Sequence, residues 1–228
     1  MTGSKSQLWL PSRQKILWVF LFALGMAYLE AAVVVYLRMI FYPEGFAFPL
    51  VPGPQATILI ELGREAGTIL VLAAIAMLCG RTKLERFAYF ILAFGIWDIM
   101  YYGWLMVQIG WPPSPLTWDL LFLIPVPWVS PVLAPILVSI SFIGAALWII
   151  YREDQGAALT FPRWAWWAEI FAGLIIILSF MWDVRNVALG GYPHPFRWDV
   201  FGIGLLGGIV LFVYFMLLPQ SRESGSGG

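Results

Sequence analysis

The sequence predicts an all-α fold: a polytopic integral membrane protein of six transmembrane helices, with a proline-rich re-entrant or interfacial segment between the third and fourth. Three observations predict it. First, 61% of the 228 residues are hydrophobic and 11% are charged, whereas an ordinary soluble domain is about 45–50% apolar and about 25% charged. Second, apolar runs recur along the whole chain, each near the ~20 residues that cross a bilayer as a helix. Third, the basic residues fall in some of the intervening segments and are missing from others. The six runs share one transmembrane domain over residues 1–220. The tail at 221–228 contains SGSGG and reads as disordered and appended.

The first run, 16–41, follows Lys5, Arg13 and Lys15. It is too long for a signal-peptide core and shows no cleavage pattern, so it is expected to be retained. The second, 57–79, begins after a loop without Lys or Arg and ends before Arg81, Lys83 and Arg86. The third, 87–109, leads into GWPPSPLTWDLLFLIPVPWVS, again without Lys or Arg. This stretch is apolar but too short to cross. Its middle, 117–124, is expected to form about two helical turns stopped by Pro125 and Pro127, lying on the bundle or dipping into it. The fourth run is 131–151, and Arg152 and Arg163 separate it from the fifth, 164–182. Arg185 and Arg197 precede the sixth, 200–218, and Arg222 follows it. Only Arg185 and Arg197 oppose the bias. The positive-inside rule therefore puts both termini in the cytoplasm of a cell-membrane protein. Lipid offers no hydrogen bonds to an open backbone, so these runs are helices; they are too long and too uniformly apolar for barrel strands.

The tryptophans fit interfacial belts. Trp148, Trp164, Trp166 and Trp167 fall on the inner side, and Trp111, Trp118, Trp128, Trp182 and Trp198 on the outer. Gly204 and Gly208, four apart, read as a small-residue packing face.

Ionisable groups inside the runs are the informative exceptions. ELGREAGT places Glu61, Arg64 and Glu65 on one helical face, and Thr68 extends the stripe. Arg64 is expected to pair with either glutamate. Glu30 lies deep in run one, with Arg38 nearer its end. Asp98 lies mid-way along run three, with Tyr101 and Tyr102 on its face. Asp119 lies in the proline-rich segment; Arg185, His194 and Arg197 lie between runs five and six. The inner half holds little beyond Glu169. A charge at the bilayer centre costs at least about 2.5–3.5 kcal/mol on insertion scales. Several at one depth imply a polar cavity in the outer half. Glu30 and Asp98 would form its floor, Glu61, Arg64 and Glu65 its middle, and Asp119, Arg185, His194 and Arg197 its rim. A structural reading stands beside this: an ion-pair network fixing register, two hydrogen-bonded carboxyls and a solvated loop histidine.

Two stretches resemble known families. YLEAAVVV, with the Arg-Glu of GREAGT, is similar to iron permeases, whose spans carry Arg-Glu-x-x-Glu; the first run lacks the Arg-Glu, and Thr68 stands at the closing position of the second. WDIMYYGW followed by a proline-rich segment with Asp119 resembles the small membrane lycopene cyclases, which pair a Trp-Asp span with Pro-x-Glu-Glu; the second acid is not doubled here. Neither stretch covers enough of the chain to place it in a family, and no residue roles are carried over.

Three function classes follow. The leading expectation is an outward-facing site lined by carboxylates, Arg and Tyr that binds a small solute or cation, as in a transporter or channel. The alternatives are an integral-membrane enzyme doing carboxylate acid–base chemistry on a lipid or isoprenoid, and a non-catalytic subunit binding a lipid or pigment. Scattered basic residues and near-zero net charge speak against nucleic acid. One cysteine, Cys79, and one histidine leave no CxxC or His-rich metal pattern. No GxSxG, HExxH or Walker motif occurs. The sequence specifies no cofactor. The bilayer is the expected partner besides the ligand, and an oligomer is compatible with it.

Overall fold

The computed structural model describes residues 10–157 and 159–217. Lys5, Arg222, Leu218 at the end of the sixth run, and the tail at 221–228 lie outside the described residues. Among the described residues, six helices are long and apolar enough to cross a membrane. The order is α1 Ser12–Phe41, α2 Gln55–Cys79, α3 Lys83–Ile109, a hairpin of β1 Trp118–Phe122 and β2 Trp128–Pro131, α4 Leu133–Asp154, α5 Arg163–Met181, the short α6 Val184–Ala188 and α7 Trp198–Leu217.

Local chemistry sets the boundaries. Pro11, Pro54 and Pro162 stand at the starts of α1, α2 and α5, where the first N–H groups have no helical partner and a missing donor costs nothing. At α3 the Thr82 hydroxyl accepts the Glu85 N–H at 2.9 Å, and the Glu85 carboxylate accepts the Arg81 N–H. This is a capping box displaced by one residue. Gly110, at φ +64°, ends α3, in the left-handed region that suits glycine.

The hairpin corrects the sequence expectation. Residues 117–124 do not form helical turns: Asp119 pairs with Ser130 and Leu120 with Val129 in an antiparallel ladder. Eight residues of helix would leave half of their backbone groups unpaired. A ladder pairs them across the chain, and Pro125 and Pro127 fall in the connection, where no strand donor is needed. Among the described residues the fold is thus helical with one short two-stranded sheet.

The helix ends sort into two sets. Ser12 bonds Asp154, Lys15 bonds Glu85 and Thr82 bonds Glu153, so the starts of α1 and α3 and the end of α4 meet at what we term the base. The hairpin closes the opposite end. There Trp118 meets Phe196, and Trp128 meets Phe180 of α5.

Helix α3 is the hub, packing against α1, α2 and α4, while α5 packs chiefly on α7. Small residues allow the close approaches. Ala23, Ala27 and Ala31 give α1 a fully buried stripe. A Cβ on Gly95 would lie 2.7 Å from the Ser139 carbonyl oxygen, and one on Gly204 would lie 2.9 Å from that of Ala172. The Gly204–Gly208 face therefore serves the α5–α7 contact. The pair α5–α7 reaches the rest of the bundle through few backbone approaches, from α7 to α4 and from α5 to β2. Outward faces are apolar: Leu59, Ile60, Leu70, Leu78 and Ile203 are all exposed.

The tryptophans divide differently from the belt reading. Trp164, Trp167, Trp182 and Trp198 are exposed, but Trp111 is buried, with its ring centroid 3.7 Å from the Arg38 guanidinium. A cation-covering role has drawn it inside.

Gly95→Leu and Gly204→Leu are each expected to lower the unfolding midpoint in detergent, at an overpacking cost of about 1–3 kcal/mol. Gly202→Ala, with open space around its Cβ position, is the control and should leave the midpoint in place. A Gly95→Leu variant as stable as wild type would show that α3 and α4 do not need the contact.

Candidate functional site

A cavity of about 1780 Å³ lies between the α3–α4 wall and the α5–α7 pair, roofed by α1, α2 and the hairpin. One face of α3 runs down it: Tyr101, Asp98, Phe94, Ile91, Phe87 and Leu84 all line it. At 1.5 Å per residue that face is about 26 Å long. The cavity therefore spans most of the bundle's height. Ile170, one turn of α5 beyond Trp166, lines it and is exposed, so it is open at the side between α3 and α5. Toward the base it is closed by aromatic rings. Phe87 meets Trp166 at 5.3 Å between centroids, Trp166 meets Phe161 at 5.9 Å, and Phe161 meets Phe215 at 5.8 Å.

Five of the seven charged groups in the lining share one level, with Arg38 above it and Glu169 below. Counted from the helix ends at the base, Glu65, Arg64 and Asp98 lie about 21–23 Å up, and Glu30 and Glu61 about 27 Å. All five line the cavity. Arg64 joins α2 to α1. One end of its guanidinium meets the Glu30 carboxylate; the other lies 2.7 Å from Glu61. The Thr68 hydroxyl donates to the other Glu30 oxygen at 2.9 Å. Three of the four stripe residues are thereby spent on the α1–α2 contact.

Glu65 behaves differently. It forms no ion pair with Arg64 among the described residues. Its two oxygens accept the Leu123 N–H at 3.0 and 2.9 Å, and the Ile124 N–H also reaches it. These donors come from the end of β1, where the ladder has stopped, so a side chain of α2 completes the hairpin's hydrogen bonding. Asp98 accepts the Ser139 hydroxyl at 2.8 Å and has no ion pair among the described residues. Four carboxyl groups thus face one guanidinium around this level.

Asp119, expected to touch substrate at the rim, is instead 1% exposed and is not part of the lining. It pairs with Arg38 at 3.0 Å, and the Tyr102 hydroxyl and the Leu120 N–H lie close to it. Arg38 lies between the Trp111 and Phe46 rings. This cluster ties the hairpin to α1 and α3. Burial pushes the Asp119 carboxyl up to about 6, and the Arg38 charge opposes the shift. Tyr101 and Tyr102 both line the cavity. Arg185, His194 and Arg197 do not. The His194 ring lies 2.8 Å from Asp183 and is largely exposed; Arg197 pairs with Asp199 at 2.7 Å and covers Trp182; Arg185 is exposed. The expected rim is a separate, locally paired surface.

Three groups stand outside the site that the sequence predicts. Trp97 and Trp128 line the cavity, and their indole nitrogens are buried without an acceptor among the described residues. They look like any other tryptophans in sequence, and nothing there marks them. Glu169, about 9 Å above the base at 1.5 Å per residue, also lines the cavity, and one of its oxygens is buried without a donor among the described residues. Its isolation in an apolar run was the visible signal. The chain matches no protein-family model, no curated protein and no solved structure.

Two outcomes are expected. Glu65→Leu removes the acceptor for Leu123 and Ile124, so hydrogen exchange at the 122–127 peptide should speed by about ten-fold, the equivalent of a 1–3 kcal/mol orphaned donor; unchanged protection would show that the hairpin holds itself. For Asp119, the native carboxyl binds its proton more tightly than the unfolded chain, whose ordinary value is 3.8. Its contribution to stability is therefore fully present below 3.8 and lost as pH rises to about 6. Thermal melts between pH 4 and 6 should show this slope in wild type and not in Asp119→Asn.

Proposed function

We propose that the chain is a multi-pass membrane protein that takes an amphiphilic, chain-bearing molecule from the bilayer, holding its tail in the long groove and its head at the level of Glu30, Glu61, Arg64, Glu65 and Asp98. One observation carries this reading: the cavity runs most of the bundle's height, opens sideways between α3 and α5, and gathers five of its seven charged groups at one level, with Glu169 below and Arg38 above in an otherwise largely apolar lining. A molecule entering sideways from lipid needs this layout, because tail and head are then solvated at their own depths. The volume exceeds the ~300–1,000 Å³ usual for a drug-sized ligand, as an extended chain requires.

Membrane insertion is supported by six helices of sufficient length and apolarity and by their apolar outward faces. Arg13, Lys15, Arg81, Lys83, Arg86, Arg152 and Arg163 lie at or near the base. The positive-inside rule makes the base cytoplasmic and turns the hairpin and the charged level outward.

The solute or cation transporter becomes the weaker reading. The base end of the cavity is a plug of aromatic rings, and Glu169 is the one carboxyl in the lining near it, so the lining itself offers no continuous polar path inward. Among the described residues no three carboxylates converge as metal ligands. An acid–base enzyme acting on the same amphiphile is favoured by one feature. Glu61 is paired with Arg64, whereas Asp98 has only Ser139, and acid–base pairs are built from carboxyls in such unlike surroundings.

Gly173 lines the groove with nothing within 4 Å of its Cβ position, so a side chain can start there, and Gly173→Trp is expected to fill the groove. Native mass spectrometry of protein released from lipid nanodiscs is expected to show one retained organic molecule per chain in wild type and none in Gly173→Trp, with both variants equally monodisperse. A bound inorganic ion lost on Glu61→Gln, with no organic mass, would overturn the amphiphile reading in favour of ion transport.

A further inference from the structure

The groove reading leaves the head group open, and the unpaired polar groups around it narrow the choice. The Trp97 indole lies 6.3 Å from the Phe122 ring between centroids, and the Trp128 indole 5.7 Å from the same ring. The two therefore flank one residue of the hairpin. Both N–H groups are buried, and neither meets an acceptor among the described residues. Trp104 shows the usual arrangement: its N–H donates to the Leu24 carbonyl at 3.1 Å. Buried donors are nearly always paired, so two orphans beside one cavity call for acceptors that arrive with a ligand. Next to Trp97 in the chain, Asp98 accepts from Ser139 through one oxygen. A carboxylate has about four acceptor positions, so it still calls for donors.

Three head-group chemistries meet these demands unequally. A fixed cation would satisfy the carboxylates and leave both indole N–H groups orphaned. A phosphate would satisfy the indoles but would face four carboxyl groups, and the two guanidinium groups in the lining are already engaged, Arg64 by Glu30 and Glu61 and Arg38 by Asp119. A hydroxyl both donates and accepts, so it can bond an indole and a carboxylate together. Resting on the amphiphile reading above, we infer that the head group is uncharged and hydroxyl-bearing, with Trp97 and Trp128 donating to its oxygens and Asp98 accepting from its hydroxyl. The aromatic surface formed by Trp97, Phe122 and Trp128 gives the carbon skeleton of such a head a face to lie on.

The test uses the full chain in nanodiscs and three single-chain probes of equal tail length: a C16 monoacylglycerol, hexadecyltrimethylammonium and hexadecyl phosphate. Binding is read by native mass spectrometry and by the indole ¹⁵N–¹H signals, assigned through Trp97→Phe and Trp128→Phe. The monoacylglycerol is expected to bind most tightly and to move both indole signals downfield. Each of the two substitutions should weaken it about five-fold, the usual worth of one hydrogen bond. Trp104→Phe, outside the groove lining, should leave binding unchanged. The wild-type indole shifts decide the matter even if a substituted protein fails to fold. Tighter binding of the ammonium or the phosphate, sensitive to Gly173→Trp but without the two indole shifts, would overturn the hydroxyl assignment and leave the groove reading standing. No Gly173→Trp-sensitive binding of any probe would overturn both.

Discussion

The guanidinium of Arg64, held between Glu30 of α1 and Glu61 of its own helix, is the contact on which the rest of the architecture depends. Helices α1 and α2 approach each other at few points along their backbones, so side-chain charge does much of the work that packing does elsewhere. Such a contact is weak evidence for stability, since desolvation opposes the Coulomb gain. It is strong evidence for register. A slip of α2 by one residue would turn Arg64 away from Glu30, and Thr68 with it. The same slip would carry Glu65 away from the hairpin. Three elements are therefore locked by one stripe of four residues on α2.

The hairpin shows why such polar fastenings recur. A short two-stranded ribbon is marginally stable by itself, and this one is interrupted by a register shift between Leu120 and Phe122. It is held at one end by the Arg38–Asp119 pair and at the other by Glu65. Between them the Phe122 and Trp128 rings pack toward Trp97 and Phe180. Glu65 sits where the ladder has stopped, so a side chain of α2 completes the hairpin's backbone, whereas Arg38 of α1 holds the hairpin through the Asp119 side chain. The roof over the cavity is thus built from groups that also define its charged level.

The groove beneath is a consequence of how the glycines are placed. Gly204 and Gly208 let α7 close on α5, and Gly95 lets α3 close on α4. Each close pairing consumes one face of each helix. The remaining faces, led by Phe94 and Phe142 on one side and Ile176 and Ile177 on the other, are left opposite one another across open space. Only large rings such as Phe87 and Trp166 span the gap near the base. The apolar interior and the lateral opening both follow from this division into two tightly packed sets.

The sequence by itself determined the six long helices, the sharing of one face by Glu61, Arg64, Glu65 and Thr68, and the packing role of Gly204. These are properties of 3.6-residue periodicity and of local composition, which act within a few turns. Tertiary structure alone decided who pairs with whom. Arg38 and Asp119 are 81 residues apart, and Glu65 finds its donors 58 residues away; no local pattern encodes either choice. It also decided that 117–124 is a strand, since the ladder partner lies beyond two prolines. Likewise it decided that Arg185, His194 and Arg197 stay outside the cavity, because Asp183 and Asp199 lie close enough to engage His194 and Arg197 first. The orphaned indoles of Trp97 and Trp128 became visible only in three dimensions. An unmet hydrogen bond is defined by everything that fails to reach it, and that requires the whole fold.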